Sequence, residues 1–153
     1  MSATATRPSP TAGLYETDFW SFVDNGEVRM QRSRSTGKLR YPPSPVCPDT
    51  LDPEFDWVPI EGSARLLAWT VFRRTYFPTI PAPYTVVVVQ ISEGPIMVGH
   101  LDGDQSATLR HDLAMELAFD TVETETGPRQ LFTWLPTSRP TQSPTQATRN
   151  THD

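Results

Sequence analysis

The first hydrophobic pattern along the chain has the period of a helix. Phe19, Phe22 and Val23 recur at i, i+3, i+4 spacing within Thr17–Asp24 (TDFWSFVD), with Trp20 beside them. Thr17 or Asp18 can cap its start, and Asn25-Gly26 can stop it. Two readings fit so aromatic a helix. It docks on the body of its own domain, or Phe19, Trp20 and Phe22 present a face to a partner protein. Residues 27–48 are irregular. EVRMQRS has strand character, Thr36-Gly37-Lys38 predicts a turn before Leu39-Arg40-Tyr41, and the prolines from Pro42 to Pro48 exclude both a helix and a central strand.

From Phe55 the pattern becomes that of strands. Trp57–Ile60 is a candidate ending at Glu61-Gly62, and Ala64–Phe72 (ARLLAWTVF) is bulky and β-rich. Tyr84–Ile91 (YTVVVVQI) is the strongest strand signal, and its unbroken β-branched run predicts burial on both faces. Ile96–Leu101 follows a Glu93-Gly94-Pro95 turn, and Asp102-Gly103-Asp104 predicts a hairpin turn. Leu113–Val122 alternates, and Gln130–Leu135 closes the series. Sixteen prolines and eight glycines argue against long helices. The expected fold is mainly β: a helix and a short irregular module over residues 17–54, then a five- to six-stranded OB-fold barrel over 55–136. Residues 1–16 and 137–153 are poor in large apolar side chains and are expected to be disordered.

Charge and cysteine content narrow the function. A net charge of −5 argues against a general nucleic-acid binder, since proteins that live on phosphate backbones are basic. A lone cysteine, Cys47, makes no intrachain disulfide, so nothing points to secretion. The N-terminus lacks a basic region followed by an apolar one, and the longest apolar run is too short to span a bilayer. A cytoplasmic protein without membrane association is expected.

The order of the pieces carries a resemblance. Phe19-Trp20 is followed by Gly37-Lys38-Leu39, Tyr41-Pro42-Pro43 and Cys47-Pro48. Then come Trp57-Val58, Gly62, Trp69-Thr70-Val71, Pro83-Tyr84 before the valine run, and Glu93-Gly94. Over residues 17–136 this resembles the OB-fold acyl-CoA-associated family known as domain of unknown function thirty-five, which carries a rubredoxin-like zinc ribbon. The family's two Cys pairs would fall on Ser33 and Thr36 and on Cys47 and Thr50, so one thiolate position of four remains. Structural zinc takes four ligands, and a hydroxyl is a poor one. The resemblance therefore implies a degenerate ribbon without zinc, held by packing and by its prolines.

It also implies a role. Related proteins form complexes with thiolase-like enzymes (lipid-transfer-type thiolases and aldolases, acyltransferases, archaeal thiolase–synthase assemblies), and some are fused to hydratase-like proteins of steroid breakdown. There they contribute to the interface or help hold coenzyme A, while the partner carries the catalytic residues. The expectation is a non-catalytic accessory subunit in a hetero-oligomer with two copies of each chain. It binds no cofactor permanently, and any coenzyme A thioester contact is shared with the partner.

Residue types suggest where contacts lie. Arg29, Arg32, Arg34, Lys38 and Arg40 form a basic run with no acid between them in sequence. It suits coenzyme A phosphates at Arg40, an acidic partner surface at Arg32 and Arg34, or simply a solvated face. Arg73, Arg74, Tyr76, Phe77 and Tyr84 surround a proline-rich loop, where an Arg pair suits a phosphate and aromatics suit an adenine ring. A loop anchored by its own aromatics is the other reading. A single-stranded nucleic-acid module would use the same residues, against the net charge. No nucleophile elbow, P-loop, dinucleotide fingerprint or zinc-protease motif occurs, and no metal ligand set is expected. Glu123 and Glu125 read as a solvated strand face.

Overall fold

A computed structural model describes residues 6–103 and 105–137. Helix α1 (Glu16–Asp24) comes first. Strands β1 (Arg29–Ser33), β2 (Leu39–Arg40) and β3 (Phe55–Pro59) then form an antiparallel sheet in the order β2-β1-β3. Five strands follow: β4 (Ser63–Phe72), β5 (Tyr84–Ile91), β6 (Ile96–Leu101), β7 (Ala114–Thr124) and β8 (Gly127–Pro136). They close into a barrel in the order β4-β5-β6-β8-β7, with β7 returning to β4. Every pairing is antiparallel except β6 with β8, which run parallel through His100↔Thr133 and Leu101↔Trp134. A five-stranded barrel is the OB architecture expected from the strand count.

Several expectations are corrected by these pairings. The helix begins at Glu16, and neither Thr17 nor Asp18 caps it; Thr17 Oγ1 instead donates to Gly13 O at 3.4 Å. Its end falls as expected, with Gly26 at φ +76° donating its N–H to Val23 O. The strand expected at Trp57–Ile60, as the first of the barrel, runs over Phe55–Pro59; it pairs with β1 from Arg29↔Pro59 to Ser33↔Phe55 and completes the N-terminal sheet. The boundary between the two sheets therefore lies at Ile60–Gly62. Asp102-Gly103 makes no hairpin, because the Asp102 N–H donates to Trp134 O and the chain passes through a 3-10 turn (Ser106–Thr108) to β7. Asp104 lies outside the described residues. The N-terminal segment, expected to be disordered, bridges β7: Arg7 N donates to Glu123 O at 2.8 Å, beside Thr124. Of the tail from 137, Thr137 N donates to Ala114 O at 2.9 Å; residues 138–153 lie outside the described residues, as do 1–5.

One apolar core serves both sheets. Leu66, Val87, Val89, Met97, Met115 and Trp134 fill the barrel, while Phe19 and Val23 of α1 and Met30 of β1 close it from the N-terminal side. Each such side chain contributes about 1.5–3 kcal/mol by leaving water. The helix is pinned by Asp24, whose carboxylate accepts from Arg129 Nε at 2.9 Å and Gln130 N at 3.2 Å. Gly99 lets the core indole approach β6, since a Cβ there would lie 2.9 Å from Trp134 Cδ1. Strand β5 alternates strictly: Thr85, Val87, Val89 and Ile91 are buried, and Val86 and Val88 are half-buried. The two-faced burial expected of the valine run is thus met on one face only.

Candidate functional site

The ribbon-like module brings together Ser33, Thr36, Cys47 and Thr50, the four positions where the resemblance would place zinc ligands. Thr36 Oγ1 stands 3.8 Å from Cys47 Sγ, and Ser35 Oγ joins Ser33 Oγ at 3.0 Å to Thr50 Oγ1 at 2.8 Å. Tetrahedral zinc with sulfur at 2.3 Å spaces its ligand atoms by about 3.8 Å. Thr36 and Cys47 stand at that spacing, and hydroxyls occupy three of the four positions. That donor set does not fit zinc. Among the described residues no group of three or more His, Cys, Asp or Glu could hold a metal ion. Hydrogen bonds from Ser33 and Thr50 hold the Cys47 thiol down to about 6 from 9.0, against burial, which pushes it up. The side chain is 2% exposed.

The basic run is not a free positive patch. Acids from other segments neutralise most of it. Arg29 pairs with Glu27 at 2.7 Å and lies over the Phe22 ring, Arg34 pairs with Asp56 at 2.6 Å and Glu54 at 3.3 Å, and Lys38 pairs with Asp49 at 2.7 Å. The Arg34 hydrogen bond lowers the Asp56 pKa. Arg32 is exposed beside Asp56. Arg40, 8% exposed, donates from Nε to Gln31 Oε1 at 2.9 Å and stacks over Phe55 at 5.0 Å. Its Nη1 and Nη2 find no acceptor among the described residues. Arg32, Lys38 and Arg40 line an open cleft of about 780 Å³ whose far wall is the β5–β6 turn at Glu93–Ile96. Of the residues assigned to coenzyme A, Arg40 thus lies here, apart from the loop residues.

Those loop residues come together at the β4–β5 connection. Phe72 and Tyr84 stack at 4.9 Å with a 2° angle, Tyr84 stacks on His100 at 5.5 Å, and Tyr76 meets Phe72 edge-on. Arg74 lies 5.8 Å over Tyr76. Tyr76 and Phe77 are 61% and 51% exposed, as Arg73 and Arg74 also are in kind. His100 was missed by sequence reasoning, which saw only scattered histidines. Its place comes from the Val86↔His100 pairing, and burial, with Arg7 nearby, lowers its pKa.

On the helix, Phe19 is 2% exposed and packs edge-on to Trp20 and Phe132, so it serves this chain's own core and not an outer face. Trp20 stacks on Phe132 at 6.1 Å, and Phe22 meets Trp57 at 5.5 Å; both remain half-exposed. The helix is docked on its own domain. Glu123 and Glu125 are exposed, in keeping with a solvated face.

Comparison with known proteins follows this geometry. Residues 57–120 match the family described as ChsH2, C-terminal OB-fold domain. The chain is 26% identical over 121 residues to a probable enoyl-CoA hydratase alpha subunit of Thermomonospora curvata, covering 79% of this chain and 37% of that one. It is 29% identical over 98 residues to the 3-oxo-4,17-pregnadiene-20-carboxyl-CoA hydratase alpha subunit of Mycobacterium tuberculosis, covering 64% and 31%. A DUF35 domain-containing scaffold protein of Pyrococcus furiosus is 23% identical over 86 residues, covering 53% of this chain and 60% of that one. The chain spans about a third of the length of the first two relatives. Among solved structures, the Ltp2-ChsH2(DUF35) aldolase superposes with a TM-score of 0.76 at 22% identity, over 84% of this chain and 98% of that one. The barrel order and these matches agree: the chain carries an OB fold and is similar to proteins of the DUF35 family.

Proposed function

We propose that this chain is a non-catalytic accessory subunit that seats on a thiolase-like enzyme acting on acyl-CoA thioesters. The observation that carries the reading is its match, over 79% and 64% of its length, to one part of two chains named as CoA-thioester hydratase alpha subunits. The relative named a scaffold protein supports a role in assembly over one in chemistry. The geometry agrees. Polar side chains of the ribbon-like module are engaged in ion pairs and hydroxyl networks. A stacking platform for single-stranded nucleic acid is disfavoured by the ring row itself, since Phe72, Tyr84 and His100 occupy one another's faces. Localisation in the cytoplasm and a complex with two copies of each chain belong to the same proposal.

The test is affinity purification of the tagged chain from its native host at moderate salt, with mass spectrometry of what accompanies it. A near-stoichiometric enzyme of acyl-CoA chemistry is the expected result. A chain that emerges alone, folded and soluble, would overturn the subunit reading.

A further inference from the structure

Three strands of the barrel carry an outer face that no other described element of the chain covers. The register fixes which side chains share it. Ala68, Val88 and Val98 form one row, and Thr70, Val86 and His100 form the next, because Ala68↔Val88, Val88↔Val98, Thr70↔Val86 and Val86↔His100 are paired. Ile96 extends the apolar stripe opposite Gln90. Val98 and Ile96 are 54% and 52% exposed, although their neighbours Met97 and Val87 are fully buried. At one end the stripe runs into the stacked rings of Phe72 and Tyr84 and the exposed Tyr76 and Phe77. β-Branched residues at every outward position of β5 from Val86 to Val88 are costly to leave in water. Contiguous apolar surface of this kind marks an interaction site.

The charges around the stripe are one-sided. No outward position of β4, β5 or β6 holds an acid, in a chain of net charge −5. Arg73 and Arg74 stand at its aromatic end without an ion pair among the described residues. At the other end Arg65 is held by Asp112 at 2.7 Å and Gln90 at 2.6 Å. The exposed acids of the barrel lie on β7 instead, at Glu116, Asp120 and Glu123. An interface built this way is apolar at its centre and cationic at one edge. Its complement is a protein surface that is apolar at the centre and acidic where Arg73 and Arg74 land.

We propose that the outer face of β4, β5 and β6 is the surface by which this chain docks on its enzyme partner, with Val88 and Val98 at the centre and Arg73 and Arg74 steering from the edge. This rests on the accessory-subunit reading and names the surface it uses. The helix is thereby left to its own core.

The experiment compares tagged wild type, Val98→Glu, Ile96→Lys and the β7 control Asp120→Lys, each purified from the native host with its partner identified by mass spectrometry. Wild type and Asp120→Lys are expected to bring down the acyl-CoA enzyme equally, and Val98→Glu and Ile96→Lys at least tenfold less, with melting temperatures unchanged. Because both side chains are more than half exposed, at least one variant folds normally. Arg73→Glu with Arg74→Glu is expected to lower the recovered enzyme and flatten its loss with added salt. If Val98→Glu and Ile96→Lys, folded, still recover the enzyme as wild type does, the docking face is elsewhere and the subunit reading stands. If wild type recovers no such enzyme, the subunit reading fails and the face goes with it. If wild type forms a dimer at micromolar concentration that Val98→Glu dissociates, a second copy is the occupant and the proposal is overturned.

Discussion

The two sheets of this molecule are held by opposite means. The barrel is closed on apolar side chains, with Leu66, Val87, Val89, Met97 and Trp134 wholly withdrawn from water. The N-terminal sheet has little of its own to withdraw. It depends on Met30 and Val28 reaching into the shared core, on surface ion pairs at Arg34 and Lys38, and on the hydroxyl–thiol cluster around Cys47. A barrel core is worth kilocalories per side chain, while exposed pairs are each worth about 0–1 kcal/mol. The difference teaches that a small module without a core of its own can be held by sharing that of a larger neighbour. The sheet survives because its inner face is roofed by the barrel.

The comparison breaks first in the barrel. Trp134→Ala removes the largest wholly buried side chain and leaves Gly99, which is shaped around it, facing a void. A loss of about 3–5 kcal/mol is expected. Because the core is common, circular dichroism should show both sheets melting together at a lower temperature. A variant that loses only the barrel signal would show two independent units.

Next comes the module itself. Ser33→Cys, Thr36→Cys and Thr50→Cys combined should rebuild a four-thiolate site around Cys47, because Thr36 Oγ1 and Cys47 Sγ already stand 3.8 Å apart. One zinc per chain is expected, with stability raised by up to about 4 kcal/mol when free zinc is a thousandfold above its Kd. The gain should vanish with a chelator. No uptake of zinc by the folded triple variant would show that the hydroxyls had drifted from the tetrahedral arrangement.

How far the sequence could be read follows the same divide. Tyr84–Ile91 and Ile96–Leu101 were legible to the residue, because local period and turn chemistry define a strand. What a strand pairs with is not local. Phe55–Pro59 reads equally well as a barrel strand, and only its partner β1 shows otherwise. The parallel join of β6 to β8 turned a presumed hairpin at Asp102-Gly103 into a crossing. In the same way, the basic run looked unpaired because its acids Asp49, Glu54 and Asp56 come later in the chain. The grouping of Ser33, Thr36, Cys47 and Thr50 was legible, but through the resemblance and not from the residue types. The valine run announced a strand covered on two sides; that no other described element supplies the second cover is visible only once the register is known.

Two smaller effects separate the modes of support within the N-terminal sheet. The Cys47 thiol has a folded pKa near 6, below its usual 9.0. A depressed pKa contributes stability that is complete above the unfolded value and is lost as pH falls through the folded one. The stability difference between wild type and Cys47→Ser should therefore grow from pH 6 to pH 9 in denaturant titrations; a constant difference would mean that the thiol stays protonated. The smallest effect belongs to Arg34. Its guanidinium meets Asp56 and Glu54, but it is 56% exposed, so water and salt screen both pairs. Arg34→Ala should lower the denaturation midpoint only slightly, and less still in molar salt. A larger loss that salt leaves untouched would mean that the guanidinium stem, packed along β1 and β3, supports the sheet by contact and not by charge.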